Sequence, residues 1–169
     1  VFYNTLSRQK ETFMPIQAGA ATIYSCGPTV CRRLPVTDFR RYALADLLCR
    51  YLDYRGLAVT HVMNITDLDD KTIAGSEQAG LPLETFTAGY LDAFHEDLHF
   101  LGIKPAAAYP RSLDHLDDMV AMAEQLVEKG YAYEKLRSLY FNLARLSGYG
   151  RLSGMDMEKI RLGMTVDLD

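Results

Sequence analysis

Two β-rich runs separated by one helical stripe constrain this chain more than any other feature. "ATIYS", Ala21 to Ser25, is a short apolar run closed by Gly27-Pro28 and reads as a strand entering a turn. Phe39, Ala43, Leu47, Leu48, Tyr51 and Leu52 then recur at helical spacing, with Thr37 or Asp38 placed to cap the start and Gly56 to stop the end. "LAVTHVMNI", Leu57 to Ile65, follows as a second strand rich in β-branched residues. Strand, helix and strand in close succession make a βαβ unit, which dictates parallel strands and a right-handed crossover. The carboxyl ends of both strands then share one sheet edge, so Cys26-Gly27 and Asn64-Ile65-Thr66-Asp67 are expected to face one crevice, where open parallel sheets bind ligands.

Downstream the pattern is mostly helical. Helices are expected from Asp67 to about Gln78, from Leu83 to Leu101 with Phe86, Tyr90, Phe94 and Leu98 on one stripe, and from Leu113 to Lys129, stopped by Gly130. "YAYEKLRSLYFNLA" reads as a β-hairpin and Met155 to Leu162 as a last short helix. No internal repeat or low-complexity segment interrupts this order.

At 169 residues, 49% hydrophobic and 24% charged, the chain can build one domain with a proper core. The net charge of −4 comes without a basic tract, so any RNA contact has to be local. No apolar run reaches membrane-spanning length, no signal peptide is visible, and three cysteines without disulfide-dense spacing point to a reducing cytoplasm. The start at Val1 and the charged "VDLD" end suggest a domain of a longer gene product.

A set of blocks carries a family resemblance: "FYNTLSRQKETFMPIQAG", "YSCGPTV", "VMNITDLDDKTI", "DAFHEDLHFLGI", "PRSLDHL", "LVEKGYAY", "YGRLSG" and "GMTV". Together they resemble the N-terminal part of the catalytic domain of cysteinyl-tRNA synthetases, class I enzymes, over essentially the whole chain. "NITDLDDK" is the most specific block. The resemblance implies ATP-dependent activation of cysteine and its transfer to tRNA(Cys), with a zinc ion that binds the substrate thiolate, a HIGH-type motif for ATP and a downstream KMSKS loop for the phosphates. Cys26 falls on the first zinc-ligand position, the others lying beyond Asp169, and one thiolate cannot hold a selective zinc. Cys26, Gly27, Thr29 and Thr66 match positions lining the cysteine pocket.

The HIGH-type motif departs from the pattern. Pro35, Val36, Thr37 and Asp38 stand on its four positions: proline lacks the hydrogen-bond donor of histidine, threonine obstructs the adenine where glycine admits it, and Asp38 sets a negative charge against an anionic ligand. Cys31 and Arg32 replace the usual tyrosine and aspartate after "CGPTV". ATP and zinc binding are therefore expected to be weak or absent in this chain.

Other residues have plainer readings. Cys26 and Cys31, at C-x4-C spacing, are read as unrelated thiols, and Cys49 as core. His61, His95, His99 and His115 are scattered; His95 and His99 sit four apart, but Glu96 and Asp97 between them favour a solvated face. Asp67, Asp69 and Asp70 are explained by capping and the helix dipole, the Phe86-Tyr90-Phe94 stripe by core packing, and Arg32, Arg33, Arg40 and Arg41 by a solubilising patch.

The expected fold is α/β: residues 1–80 form the first half of a class I synthetase Rossmann-type parallel sheet, and 81–169 a largely helical extension with a β-hairpin, the start of the connective insertion. The expected function is that of a cysteinyl-tRNA synthetase-like domain with its activity lost in the isolated chain. The competing reading is a non-catalytic binding or assembly module, a homo-oligomer or one completed by a partner chain at the open sheet edge. A cysteine ligase of the mycothiol-pathway type would need the same ATP motif and fails for the same reason.

Overall fold

The computed structural model describes residues 1–155; the short helix expected over Met155 to Leu162 lies, past its first residue, outside the described residues. Two compact units are present, Pro15–Asp117 and Val1–Met14 with the chain from Asp118 onward.

In the second of these units, β1 (Phe2–Asn4) and β2 (Gln9–Glu11) pair antiparallel, with Phe2 opposite Glu11 and Asn4 opposite Gln9. This hairpin has too little alternation to be read from sequence, and Arg8 sits at φ 58° in its loop.

The Pro15–Asp117 unit opens with β3 (Ala20–Ser25), then α1 (Phe39–Tyr54) and β4 (Ala58–Met63). β3 and β4 pair parallel in strict register from Ala20 opposite Ala58 to Ser25 opposite Met63, which is the βαβ unit expected. Isolated parallel bridges from Val62 to Ala108 and from Ile65 to Arg111 lay the 108–111 segment along the far side of β4. α1 ends at Gly56, whose φ of +83° lets the Leu57 amide donate back to the Leu52 carbonyl at 3.1 Å. Its start departs from expectation. A 3-10 turn, Val36–Asp38, precedes it, and Asp38 occupies the N-cap position without a side-chain cap, because its backbone is already helical and its carboxylate is turned to Arg32.

α2 (Asp70–Ala79) and α3 (Leu83–Phe100) follow. α2 begins three residues later than the acids suggest: Asp69 caps it through a reciprocal box with Thr72, each side chain accepting from the other's amide at 2.9 Å. The core joins Phe39 and Tyr42 of α1, Met63 of β4, Ile65 after it, Phe94 and Leu98 of α3, with Val30 and Ile103. Phe39, Tyr42 and Phe94 form an aromatic triad with centroids 5.2–6.0 Å apart. Each such side chain contributes roughly 1.5–3 kcal/mol through burial, so the triad fastens α1 to α3. From the α3 stripe, Phe86 and Tyr90 are half-buried and packed edge to face.

α4 (Leu116–Glu128) leads into the hairpin expected from sequence, β5 (Ala132–Lys135) and β6 (Ser138–Phe141), with Tyr133 opposite Tyr140. Its two-residue turn is Leu136-Arg137, both at positive φ (52° and 64°). The described part of the chain is thus mixed α/β, a parallel strand pair followed by a largely helical extension and a β-hairpin. None of its helices is long and apolar enough to cross a membrane.

Candidate functional site

Because Ser25 lies opposite Met63, the residues that follow each strand are forced side by side. The Gly27 amide donates to Asn64 Oδ1 at 2.9 Å, and Asn64 Nδ2 donates to Thr66 Oγ1 at 3.2 Å. Beyond them the ladder resumes: the Thr66 amide donates to the Pro28 carbonyl at 2.9 Å, the Val30 amide to the Thr66 carbonyl at 3.1 Å, and Thr29 bridges Thr66. A Cβ on Gly27 would stand 1.6 Å from the Asn64 carbonyl oxygen, so only glycine lets the two backbones approach. Cys26, Gly27, Thr29 and Thr66 are therefore gathered on one edge, with Cys26 exposed and the other three half-buried. Asn64, which ties two of them together, was not singled out from sequence for this role; its position in the strand-end block was the signal available.

Next along the chain, buried Asp67 pairs with half-buried Arg111. Asp67, 1% exposed, accepts from Arg111 Nε at 2.7 Å and from the Leu113 amide at 3.0 Å. The hydrogen bond to Asp67 raises the Arg111 guanidinium above its ordinary value, against the opposing effect of burial. Asp67 is thus no helix-capping acid, which corrects the sequence reading. A carboxylate this deep is stable only with a cation and a further donor, and "PRSLDHL" supplies both. Ile65, fully buried beside it, accepts from the Ser112 amide at 3.1 Å and donates its own to Pro110 at 2.8 Å.

The loop between β3 and α1 is built otherwise. Pro35, Val36 and Thr37 are exposed, Val36 at 74%, and Asp38 is half-buried. Pro35 is extended, and its carbonyl accepts from the Asp38 amide at 3.0 Å. The Asp38 carboxylate lies 3.6 Å from Arg32, Arg33 pairs with Asp97 at 2.8 Å, and Arg41 donates to the Tyr42 hydroxyl at 2.7 Å. Arg32, Arg33 and Arg41 of the basic cluster thus each have a partner among the described residues.

Zinc can be tested against the donors present. Among the described residues no three His, Cys, Asp or Glu converge to hold a metal ion, and Cys26, Cys31 and Cys49 are free thiols. This donor set does not fit a tetrahedral zinc. His61 is buried and hydrogen-bonded to Ser25 Oγ at 2.7 Å, while His95 lies edge-on to Tyr109. Burial lowers the His61 pKa below 6.5, partly offset by Asp46.

Comparison with known proteins gives a consistent placement. The family described as "tRNA synthetases class I (C) catalytic domain" matches residues 12–169. Curated relatives include the cysteine–tRNA ligase of Methanosarcina mazei, 47% identical over 99% of this chain and 35% of that protein. That of Methanosarcina acetivorans is 44% identical over 99% and 35%, and that of Ligilactobacillus salivarius 40% identical over 99% and 36%. The chain thus spans about a third of the length of the relatives it matches. Among solved structures, agnB2 LeuRS of Agrobacterium radiobacter K84, crystallised as a ternary complex with tRNA and LeuAMS, superposes with a TM-score of 0.61. It is 21% identical and covers 71% of this chain and 16% of its own, a likeness of fold. The β3-α1-β4 unit is therefore the first half of a class I synthetase Rossmann-type sheet, and the chain belongs to the family of class I (C) tRNA synthetase catalytic domains, as a cysteine–tRNA ligase-like domain.

Proposed function

We propose that this chain is the N-terminal part of a cysteine–tRNA ligase catalytic domain that offers a small amino-acid crevice but, alone, does not activate cysteine with ATP. The Rossmann-type half is assigned to residues 1–80, and the helical extension with the start of the connective insertion to 81–169. ATP, tRNA(Cys) and a reducing cytoplasm are carried over from the family and the free thiols. Cysteine would meet Cys26, Gly27, Thr29 and Thr66. Without zinc, its selection over serine rests on packing differences of about 1–3 kcal/mol.

One observation carries the inactive reading: Pro35 to Asp38 present no side-chain donor to a phosphate except the Thr37 hydroxyl, and the single charge among them is negative. Loss of one preorganised donor to a developing phosphate charge costs on the order of 3 kcal/mol, or about a hundredfold to a thousandfold in rate. The test is cysteine-dependent exchange of pyrophosphate into ATP by the purified chain. No exchange above background is expected; robust exchange would overturn the proposal.

A second reading, an assembly module, is favoured by the bare face of the sheet. Tyr24 is 64% exposed, and Thr22 and Thr60 on the same face are exposed too. A homo-oligomer or a partner chain would cover that face and the open edge of β3. Light scattering across a wide concentration range checks the first case, and a strictly monomeric species would exclude it.

A further inference from the structure

α1 carries apolar side chains on two opposite faces. Phe39, Tyr42, Cys49 and Leu52 are buried, while Leu44, Leu47, Tyr51 and Tyr54 stand between 48% and 85% exposed. These four recur at steps of three, four and three residues, so they form one continuous stripe on the side of the helix away from the buried set. Leu47 and Tyr51 belong to the periodic residues that mark α1 in the sequence, yet they face outward. A helix that is apolar on both faces calls for cover on both, and among the described residues only the inner face has it.

The order of side chains along the stripe says what fits it. Two leucines are followed by two tyrosines. Laid antiparallel on a second copy, with the twofold axis beside residue 49, Leu44 of one chain meets Tyr54 of the other and Leu47 meets Tyr51. Every layer then joins one leucine to one tyrosine, so the layers have equal width and the face is self-complementary. A parallel pair would set leucine on leucine at one end and tyrosine on tyrosine at the other, splaying the helices. Charge points the same way. Asp46 and Asp53 are turned to Arg50 and Lys104, which leaves Arg40 and Arg55 at the two ends of the stripe. Arg55 donates to the Tyr51 hydroxyl at 3.0 Å and in the antiparallel register faces Ala43 of the other copy. Arg40 lies one turn beyond the layer of Leu44 and the partner's Tyr54, within reach of that ring, and the two helix dipoles oppose. In a parallel pair each arginine would meet its own copy.

We propose that the outer stripe of α1 is a self-association surface through which two copies of this chain pair as antiparallel helices. The pairing is independent of the crevice and of the sheet face and β3 edge considered above. Four side chains so exposed bury on the order of 500 Å² per copy, about 1,000 Å² in all, which is less than the roughly 1,200–2,000 Å² of stable complexes. The dimer is therefore weak and concentration-dependent.

Sedimentation equilibrium of the whole chain from about 1 μM to 1 mM should show a monomer–dimer equilibrium with a Kd on the order of 100 μM. Leu47→Glu, which places a carboxylate from each copy in the apolar seam, should weaken it at least about tenfold. Tyr24→Lys, on the bare face of the sheet, should leave it within about twofold. Register is read by disulfide trapping in a Cys26→Ser, Cys31→Ser background. Leu44→Cys and Tyr54→Cys should each stay uncrosslinked alone and form a covalent dimer when mixed, a result that does not depend on the folding of Leu47→Glu. A monomer throughout the range would overturn the proposal and leave the stripe to an acidic partner helix or an anionic membrane surface. So would a dimer that Tyr24→Lys dissolves and Leu47→Glu does not, or crosslinking of Leu44→Cys with itself, which would make the pair parallel.

Discussion

The strand-end crevice and the loop from Cys31 to Asp38 are neighbours in sequence and opposites in construction. In the crevice almost every polar atom is committed: Gly27 to Asn64, Asn64 to Thr66, Asp67 to Arg111 and Leu113. The loop holds itself by exposed ion pairs, Arg32 to Asp38 and Arg33 to Asp97, with arginine side chains 62% and 68% exposed. Buried networks fail at high cost when one member is removed, whereas exposed pairs are worth about 0–1 kcal/mol. The strand ends are thus part of the fold's stability, and the loop is free to change without it. That asymmetry leaves Pro35 to Asp38 free to vary while the frame around them stands.

The largest effects should fall on the crevice. Arg111→Ala leaves Asp67 buried without its cation, and the expected loss is about 3–5 kcal/mol in denaturant unfolding. Gly27→Ala should cost at least about 3 kcal/mol, because the Asn64 carbonyl that the new methyl meets is backbone and cannot rotate away. Losses below about 1 kcal/mol for both would show that the crevice is as loosely held as the loop and would end the comparison.

How much of this was legible follows from the range of each interaction. The parallel pair and α1 were readable because periodicity and β-branched runs are local signals, and the Gly56 stop because left-handed backbone selects glycine. Asp67 was misread because its partner stands at Arg111, and three acids before a helix have a sufficient local explanation in capping, which Asp69 alone fulfils. The hairpin of β1 and β2 and the parallel bridges of Ala108 and Arg111 escaped for the same reason: their hydrogen bonds are backbone pairings that side-chain patterns barely mark. The β5-β6 hairpin was found from its strands, although its turn residues, Leu136 and Arg137, carry no Asn-Gly signal.

A smaller effect should appear with pH. His61 is buried on β4, bonded to Ser25 on β3, and burial holds its pKa below 6.5. Above that value both folded and unfolded states carry a neutral imidazole, and the full stability is present. As pH falls through 6.5 the unfolded chain takes up the proton first, so stability declines until the folded-state pKa is reached. The slope for one proton is at most about 1.4 kcal/mol per pH unit. His61→Gln should flatten the decline below 6.5, measured by urea unfolding across that range; an unchanged slope would place its origin in the carboxylates instead.

The smallest effect belongs to the loop itself. Pro35→His, Val36→Ile, Thr37→Gly and Asp38→His together would set a HIGH-type motif at the positions proposed for it. The first three residues are exposed, and Asp38 gives up only a 3.6 Å pair with an arginine whose side chain is 62% exposed. Exposed substitutions away from special backbone usually stay within about 0.5 kcal/mol each, and the quadruple variant should unfold within about 1 kcal/mol of the parent. The same change in the crevice would be ruinous, so this variant isolates chemistry from folding. Its pyrophosphate exchange should still be absent, because the phosphate-gripping residues that the family resemblance requires lie in none of the described elements. Destabilisation well beyond 1 kcal/mol would mean that Pro35 and Asp38 were selected to hold α1 in place. Exchange activity gained by this variant alone would mean that a HIGH-type motif at these four positions suffices for the chemistry on this fold.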